Sequence, residues 1–411
     1  MSPRFLRATA LVAALAPALM AGAAPLSLDQ AMELAVQRSE AARSARAGAQ
    51  GAAEMASAAG QLPDPMLGIG IDNLPATGRD RFNPATEDMT MKRIGLSQEW
   101  VPADKRAARH AAARAVADRE STMEQVAAGE ARLQAAMAYV EAWYAGESLR
   151  LTTLGEHHAH EALEAARSRL ATPSGSSAEV LMAASEKGAA EDESAERQQQ
   201  QAAALSTLQR WAGVVADELL PPQLPAGPAE QAYVAAHPAV LAKARDIAVA
   251  RQEAELARLA RRPGWTYELS YGQRQGRPDL VSFGVTIPLT VAPSARQDRE
   301  TAAKLAMVDK AEAELEEARR AAAGEYAALS SDERRLAQRI ERFRGAVLKP
   351  LQQRSVAMLA AYRSNQASLA MLFEARHAEL ESERKLVSLQ RDLARTRVQL
   401  VCKPVAPGVA P

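Results

Sequence analysis

The chain is written twice, and this constrains its fold more than any single motif does. Ala35-Val-Gln-Arg-Ser-Glu-Ala-Ala-Arg-Ser-Ala-Arg46 reads against Val234-Ala-Ala-His-Pro-Ala-Val-Leu-Ala-Lys-Ala-Arg245. Leu62-Pro63 opens an extended stretch as Arg262-Pro263 does, and Ile94-Gly-Leu-Ser97 matches Phe283-Gly-Val-Thr286. Ser177-Ala-Glu-Val-Leu181 matches Ser368-Leu-Ala-Met-Leu372. The offset is roughly 190–200 residues, long enough to make the duplication a property of the whole fold. Each half reads as helix, two strands, very long helix, turn, helix.

The duplication predicts the following layout. Residues 1–23 form a signal peptide and 24–220 the first repeat, with strands at 65–74 and 89–100, a long helix at 103–170 and a return helix at 177–213. A Pro-rich linker at 221–228 joins it to the second repeat at 229–401, with strands at 264–273 and 280–289. That repeat has a long helix at 294–362 and a return helix at 368–401, and residues 402–411 are a tail. The leader rests on basic Arg4 and Arg7, the apolar run Ala8 to Met20 and the site Ala21-Gly-Ala23. A short core helix is its alternative. No cysteine follows the apolar run, so the sequence offers no lipid anchor.

The strands alternate with period two, as half-buried strands do. Trp265, Tyr267, Leu269 and Tyr271 share one side, as do Val281, Phe283, Val285 and Ile287. Leu67, Ile69 and Ile71 repeat the pattern in the first half, with Ile94, Leu96 and Trp100. Their length suits tilted membrane strands, and an ordinary antiparallel sheet on a soluble core is the other reading. Past the leader no apolar run approaches the length of a membrane helix. A membrane crossing by this chain therefore requires a closed β-barrel. Four such strands cannot close one, because the smallest known membrane barrels have eight. Several copies would have to share it.

Composition describes the helices. Hydrophobic residues make up 47 % of the 411, yet aromatics only 4 %. Much of the apolar share is Ala, interleaved with Glu, Arg and Gln, which form helices well and fill cores poorly. From Asp104 to Leu170 there is no proline, and a helix of that span is about 100 Å long. Val308, Leu315, Ala322, Leu329, Leu336 and Phe343 recur every seventh residue, the repeat of helices supercoiled left-handedly on partners. In the first half, Met123, Val126, Leu133, Met137, Val140, Tyr144, Leu151 and Leu154 form a seam broken by Glu130 and Glu147. The 50 basic and 50 acidic residues cancel, which argues against binding nucleic acid through its phosphates. One cysteine excludes a disulfide framework.

These features together resemble the TolC family of outer-membrane efflux channels over residues 26–401. The resemblance rests on Leu26-Ser-Leu-Asp-Gln-Ala31, on Leu62-Pro-Asp-Pro65, and on Ile94-Gly-Leu-Ser-Gln-Glu-Trp-Val-Pro102 followed by Lys105-Arg-Ala-Ala-Arg109. Tyr362-Arg-Ser-Asn-Gln-Ala-Ser-Leu-Ala-Met-Leu372 is similar to the family's periplasmic-tip turn. Leu62 to Pro75 and Asp88 to Gly95 resemble its heavy-metal, CzcC- and CusC-like branch. The resemblance implies a mainly α fold with a small β part. It implies a homotrimer in which four strands per chain build a twelve-stranded outer-membrane barrel, continued by an α-helical periplasmic tunnel. It implies a passive exit duct in a Gram-negative outer membrane, partnered by a periplasmic adaptor and an inner-membrane pump of the RND type. Heavy-metal ions are the expected cargo. A drug or type I secretion duct of the same family is the alternative, and a soluble periplasmic coiled-coil adaptor or scaffold is the rival from another class. The adaptor-docking tip then maps to Ser174, Gly175, Ser176, Ser177 and Val180, and to Tyr362, Ser364, Asn365 and Ser368. The gate maps to Glu179 and, where the tip's usual acid is replaced by Met371, to Glu374. Asn365 stands where the family has Gly, and Asn tolerates the left-handed conformation.

Other candidate chemistry is sparse. His157, His158 and His160 lie among Glu156, Glu161 and Glu164, with His157/Glu161 and His160/Glu164 spaced four apart for zinc or copper. The set departs from the zinc-hydrolase pattern, since Glu164 replaces its second His. A solvated, ion-paired helix face is the alternative. Met89 and Met91, with Met66 nearby, offer soft thioether ligands for monovalent copper or plain packing. Trp100, Trp265, Tyr267 and Tyr271 suit an interfacial girdle or helix packing. No nucleophile with a neighbouring base stands out, so neither an enzyme nor a cofactor is expected.

Overall fold

A computed structural model describes residues 25–171, 176–216 and 218–405. The expected leader and the ends of the tail, together with Ser174 and Gly175, lie outside the described residues. The elements run α1 Leu28–Arg38, α2 Glu40–Ala59, β1 Met66–Asp72, β2 Met91–Trp100, α3 Ala103–Leu170 and α4 Ser177–Ala212. The second repeat follows with α5 Glu230–Ala235, α6 Pro238–Arg258, β3 Trp265–Arg274, β4 Leu280–Thr286, α7 Gln297–Phe343, α8 Lys349–Arg363 and α9 Leu369–Cys402. The fold is mainly helical with one small antiparallel sheet.

Local chemistry sets the element ends. Ser27 caps α1 by accepting from the Gln30 amide at 3.2 Å, while the Ser27 amide donates to Gln30 Oε1 at 3.0 Å, a reciprocal capping box. The first helix does not run through as one piece. Ser39 turns extended, accepts from the Ala42 amide and starts α2. His237 and Pro238 interrupt the second repeat similarly, with Pro in the first turn where its missing N–H costs nothing. Gly213 ends α4 at φ +74°, and the Arg38 guanidinium fills the space a β-carbon would take.

The second long helix also departs from the single rod expected over 294–362. It starts at Gln297, loosens into one π-helical turn over Arg344–Leu348, and resumes as α8. Pro350 is the cause: it has no N–H to donate and its ring crowds the preceding turn, so the ladder relaxes there. α3 has no such residue and runs unbroken for 68 residues.

The two long helices change partners along their length. α3 packs on α2 near the sheet and on α4 beyond its middle, and α7 packs on α6 and then on α9. The exchange happens at a waist where the main core lies. Leu26, Leu28 and Ala31 meet Ala136, Tyr139, Val140 and Ala142 of α3, Leu208 and Ala212 of α4, and Val398 of α9. There the first residues of the chain and the linker are sewn together. Leu26 bridges Leu219 in parallel, with the Leu26 amide donating to Glu218 O at 3.0 Å and the Leu220 amide to Leu26 O at 3.1 Å.

The seam of α3 is not the one its large residues suggest. Its buried positions include Ala108, Ala115, Thr122, Gly129 and Ala136, spaced seven apart, and then Thr152, Ala159 and Ala166 at the same interval. Leu154, expected in the seam, is exposed. Small side chains at seven-residue spacing let helix backbones approach closely and lie as a flat wall. On α7, Val308, Leu315 and Ala322 of the expected seam are buried, whereas Leu329, Leu336 and Phe343 are only partly covered.

Candidate functional site

The four strands form one sheet in the order β1-β2-β3-β4, every neighbour antiparallel. Its register sorts side chains into two unlike faces. One row reads Leu67, Leu96, Leu269, Phe283 across all four strands, and the next reads Ile69, Ile94, Tyr271, Val281. Every one of those eight apolar side chains is 42–77 % exposed. The opposite face reads Gly68, Gly95, Ser270, Ser282 in one row, and Arg93 stands on that face bonded to Asp72 and Glu268, both at 3.2 Å. Gly272 makes room there for Met91, whose sulfur lies 2.7 Å from where a β-carbon would stand.

Nothing else in the described chain covers the apolar face, and β1 and β4 each keep an unpaired edge. Water would penalise the first feature and lipid would penalise the second. An apolar band on one side and a polar lining on the other is the cross-section of a membrane barrel wall. No described helix is long and apolar enough to cross a membrane.

The expected aromatic girdle divides. Trp100 and Trp265 face each other where the sheet joins the helices, and the Trp265 ring lies 6.4 Å from that of Tyr267. Tyr271 stands farther along the sheet, with its hydroxyl donating to Asp279. The methionine set does not assemble. Met66 pairs with Ser97 at one end of β1 and Met91 with Asp72 at the other, about 20 Å apart at strand rise. Met89 lies before the strand begins and is exposed.

At the far end, two helical turns face each other. Ser176 caps α4 by accepting from the Ala178 amide at 3.2 Å, and Ser177 opens the helix. Ser364 ends α8, Asn365 takes φ +56°, and Ser368 caps α9 by accepting from the Met371 amide at 3.4 Å. A small core of Leu163, Ala166, Ala183, Leu369 and Leu372 holds the two hairpins together, with Val180 and Tyr362 packed on it. Arg169 spans them: it donates to Asn365 Oδ1 at 3.1 Å and lies 4.8 Å from the centre of the Tyr362 ring. Sequence reading passed over Arg169, because its partners are nearly two hundred residues away. Glu179 is half-buried, and Glu374 pairs with Arg354 at 2.7 Å.

The histidine cluster splits across α3. His157 lies 3.3 Å from Glu161 on an exposed face, and His160 is exposed too. His158 points toward α9, since successive helical residues turn by about 100°. Burial, then Arg376, holds its pKa below the usual histidine value. Among the described residues no group of three or more His, Cys, Asp or Glu is placed to hold a metal ion. The metal reading of His157, His158, His160, Met89 and Met91 therefore lacks an assembled ligand set.

No protein-family model matches the chain, and no curated protein matches it. Solved structures do. The outer-membrane protein VceC of Vibrio cholerae superposes with a TM-score of 0.73 at 18 % identity, over 91 % of this chain and 94 % of that one. CusC, a protein described as forming a transmembrane channel, gives 0.73 at 15 % identity over 90 % and 91 %. The open MtrE outer-membrane channel of Neisseria gonorrhoeae gives 0.75 at 16 % identity over 92 % and 88 %. The chain has the fold these proteins share, the TolC-like fold.

Proposed function

We propose that the chain is the outer-membrane duct of a tripartite efflux system, a passive channel without an active site. One observation carries this reading. A sheet with an uncovered face whose two central rows are wholly apolar, and with two open edges, stands at the root of a helix 68 residues long. Three copies, joining β1 of one to β4 of the next, give twelve strands with the apolar rows toward lipid and Arg93, Asp72 and Glu268 toward the lumen. The long helices then continue the same symmetry through the periplasm as a tube. The TolC-like fold, shared with outer-membrane channels, supports the assembly.

The two tip turns are the docking surface for a periplasmic adaptor, through Ser176, Ser177 and Val180 on one hairpin and Tyr362, Ser364, Asn365 and Ser368 on the other. Glu179 and Glu374 are the gate charges, with Arg354 already holding Glu374. The driving energy comes from an inner-membrane pump of the RND type. Heavy-metal ions are the proposed cargo, on the strength of the stretches 62–75 and 88–95. CusC is no more similar than VceC or MtrE, so the fold alone is neutral on cargo.

Fractionation tests the duct: outer-membrane recovery as a heat-modifiable trimer is expected, and recovery as a soluble periplasmic protein would sink it. Deleting the chain is expected to lower tolerance to at least one of copper, silver, zinc, cobalt and cadmium. Unchanged tolerance to all five, with a loss of drug tolerance, would reassign the cargo.

A further inference from the structure

Between the waist and the tip the two hairpins do not close on each other. α3 and α4 on one side and α8 and α9 on the other leave a cleft of about 420 Å³ lined from all four helices. That volume is within the range of small-molecule sites. Its floor is apolar, made by Leu154, Leu359, Phe373 and Leu380. Leu380 packs directly on Gly155, where a β-carbon would stand 2.7 Å from its Cδ2.

The walls carry an unbalanced charge. Glu186, Glu193, Glu379 and Glu383 face Arg376 and Arg384. Arg384 is engaged by Glu193 at 2.6 Å and Glu381 at 2.7 Å, and Glu383 accepts from Gln352 Nε2 at 3.3 Å. Glu186, Arg376 and Glu379 have no ion pair among the described residues. Glu383 has no cationic partner either, so three carboxylates without an ion pair (Glu186, Glu379 and Glu383) against the one guanidinium of Arg376 leave a surplus of two negative charges beside an aromatic and aliphatic floor.

This lining differs from a helix seam. Where helices of this chain meet nearby, the contact is made by Ala159, Ala166 and Ala183. A second copy of the chain seated here would bury Glu186, Arg376 and Glu379, a costly burial unless each found a partner. Nor is a metal ion favoured, since the residues present make no group of ligands for one.

We propose that the cleft binds a hydrophobic organic monocation, its body on Phe373 and Leu380 and its charge toward Glu186 and Glu379. The assignment stands on the cleft alone and is independent of the proposed efflux role.

Equilibrium dialysis of the purified full-length assembly with tetraphenylphosphonium tests it, with tetraphenylborate as a control of the same shape and opposite charge. Saturable uptake of the cation, and none of the anion, is expected. Replacing two of these carboxylates (Glu186→Gln with Glu379→Gln) cancels the surplus, removes the charge preference and is expected to weaken binding about tenfold. Ala190→Trp, which fills the cleft, is expected to abolish it. Equal uptake of both ions, full binding by the double variant, or no saturable uptake would each overturn the proposal. In a Cys402→Ala background, Val356→Cys shielded from a water-soluble maleimide would show that a second copy occupies the cleft, with the same consequence.

Discussion

The hydroxyl of Tyr139 stands 2.7 Å from the carbonyl oxygen of Leu220, at the level where α3 exchanges α2 for α4. The carbonyl of Leu26 lies at the same distance, so one phenol ties the start of the chain, the linker and the longest helix. Burial pushes its pKa up to about 12, which keeps the proton on the oxygen. Tyr139→Phe keeps the ring and removes the donor. It is expected to cost about 1–2 kcal/mol, read as a lower thermal midpoint with unchanged helix content. An unchanged midpoint would show that the knot is held by packing alone.

The two faces of the sheet predict opposite responses to the same charge. Phe283→Lys puts an ammonium in the apolar row and is expected to cost about 2–4 kcal/mol in a bilayer, reducing outer-membrane assembly. Ser282→Lys, one residue away on the polar face, is expected to assemble normally. Membrane fractionation with gel analysis of assembly reads both. Equal tolerance of the two would remove the membrane assignment of these rows.

Mild acid is expected to destabilise the protein through two histidines. His237 is buried beside Tyr233, and burial, then Lys403, holds its pKa below the ordinary 6.5. His158 is lowered by burial and then Arg376. A lowered histidine pKa means the unfolded chain takes the proton first, so stability falls as pH drops below about 6.5 toward the folded value. Glu325, held below 4.5 despite its own burial by Lys403 and His237, titrates under that window. The midpoint is expected to drop between about pH 7.5 and about pH 5.5, and His237→Gln with His158→Gln to flatten the slope. A slope unaltered in the double variant would assign it to other groups.

Cys402 offers a chemical readout of the waist. Burial first, then Asp29, pushes its thiol from 9.0 up to about 11, with the Met32 sulfur 3.9 Å away. Near pH 8 the thiolate fraction falls about 100-fold relative to an unshifted thiol. Alkylation by iodoacetamide is expected to be slower by about that factor in the folded protein than after denaturation. Comparable rates would mean that the C-terminal end of α9 opens readily.

The parts of this fold legible in sequence are those written in large side chains. Alternation at Leu67, Ile69 and Ile71, and again at Val281, Phe283 and Val285, shows strands with one greasy side, and the register then aligns them in rows. The α3 seam was hidden because Ala108, Ala115, Thr122, Gly129 and Ala136 carry little hydrophobic signal, and seven-residue spacing of small residues looks like plain helix propensity. The π turn was hidden because one proline in a long helix signals a fault without saying how the ladder absorbs it. At the tip, Asn365 was legible as a left-handed turn from local chemistry. Arg169 and the meeting of His158 with α9 were not, since only tertiary packing brings them together.

The unpaired edges of β1 and β4 bear on inheritance as well as on architecture. In the proposed trimer a copy of this chain completes its sheet only by lending one edge and borrowing another, so a faulty copy does not fail alone. Phe283→Lys expressed beside the intact chain is drawn into shared rings and spoils them. Under three-fold closure with equal expression, roughly one ring in eight escapes the defective chain. A lesion in the strands is therefore dominant, whereas one that prevents the chain from reaching its neighbours is recessive.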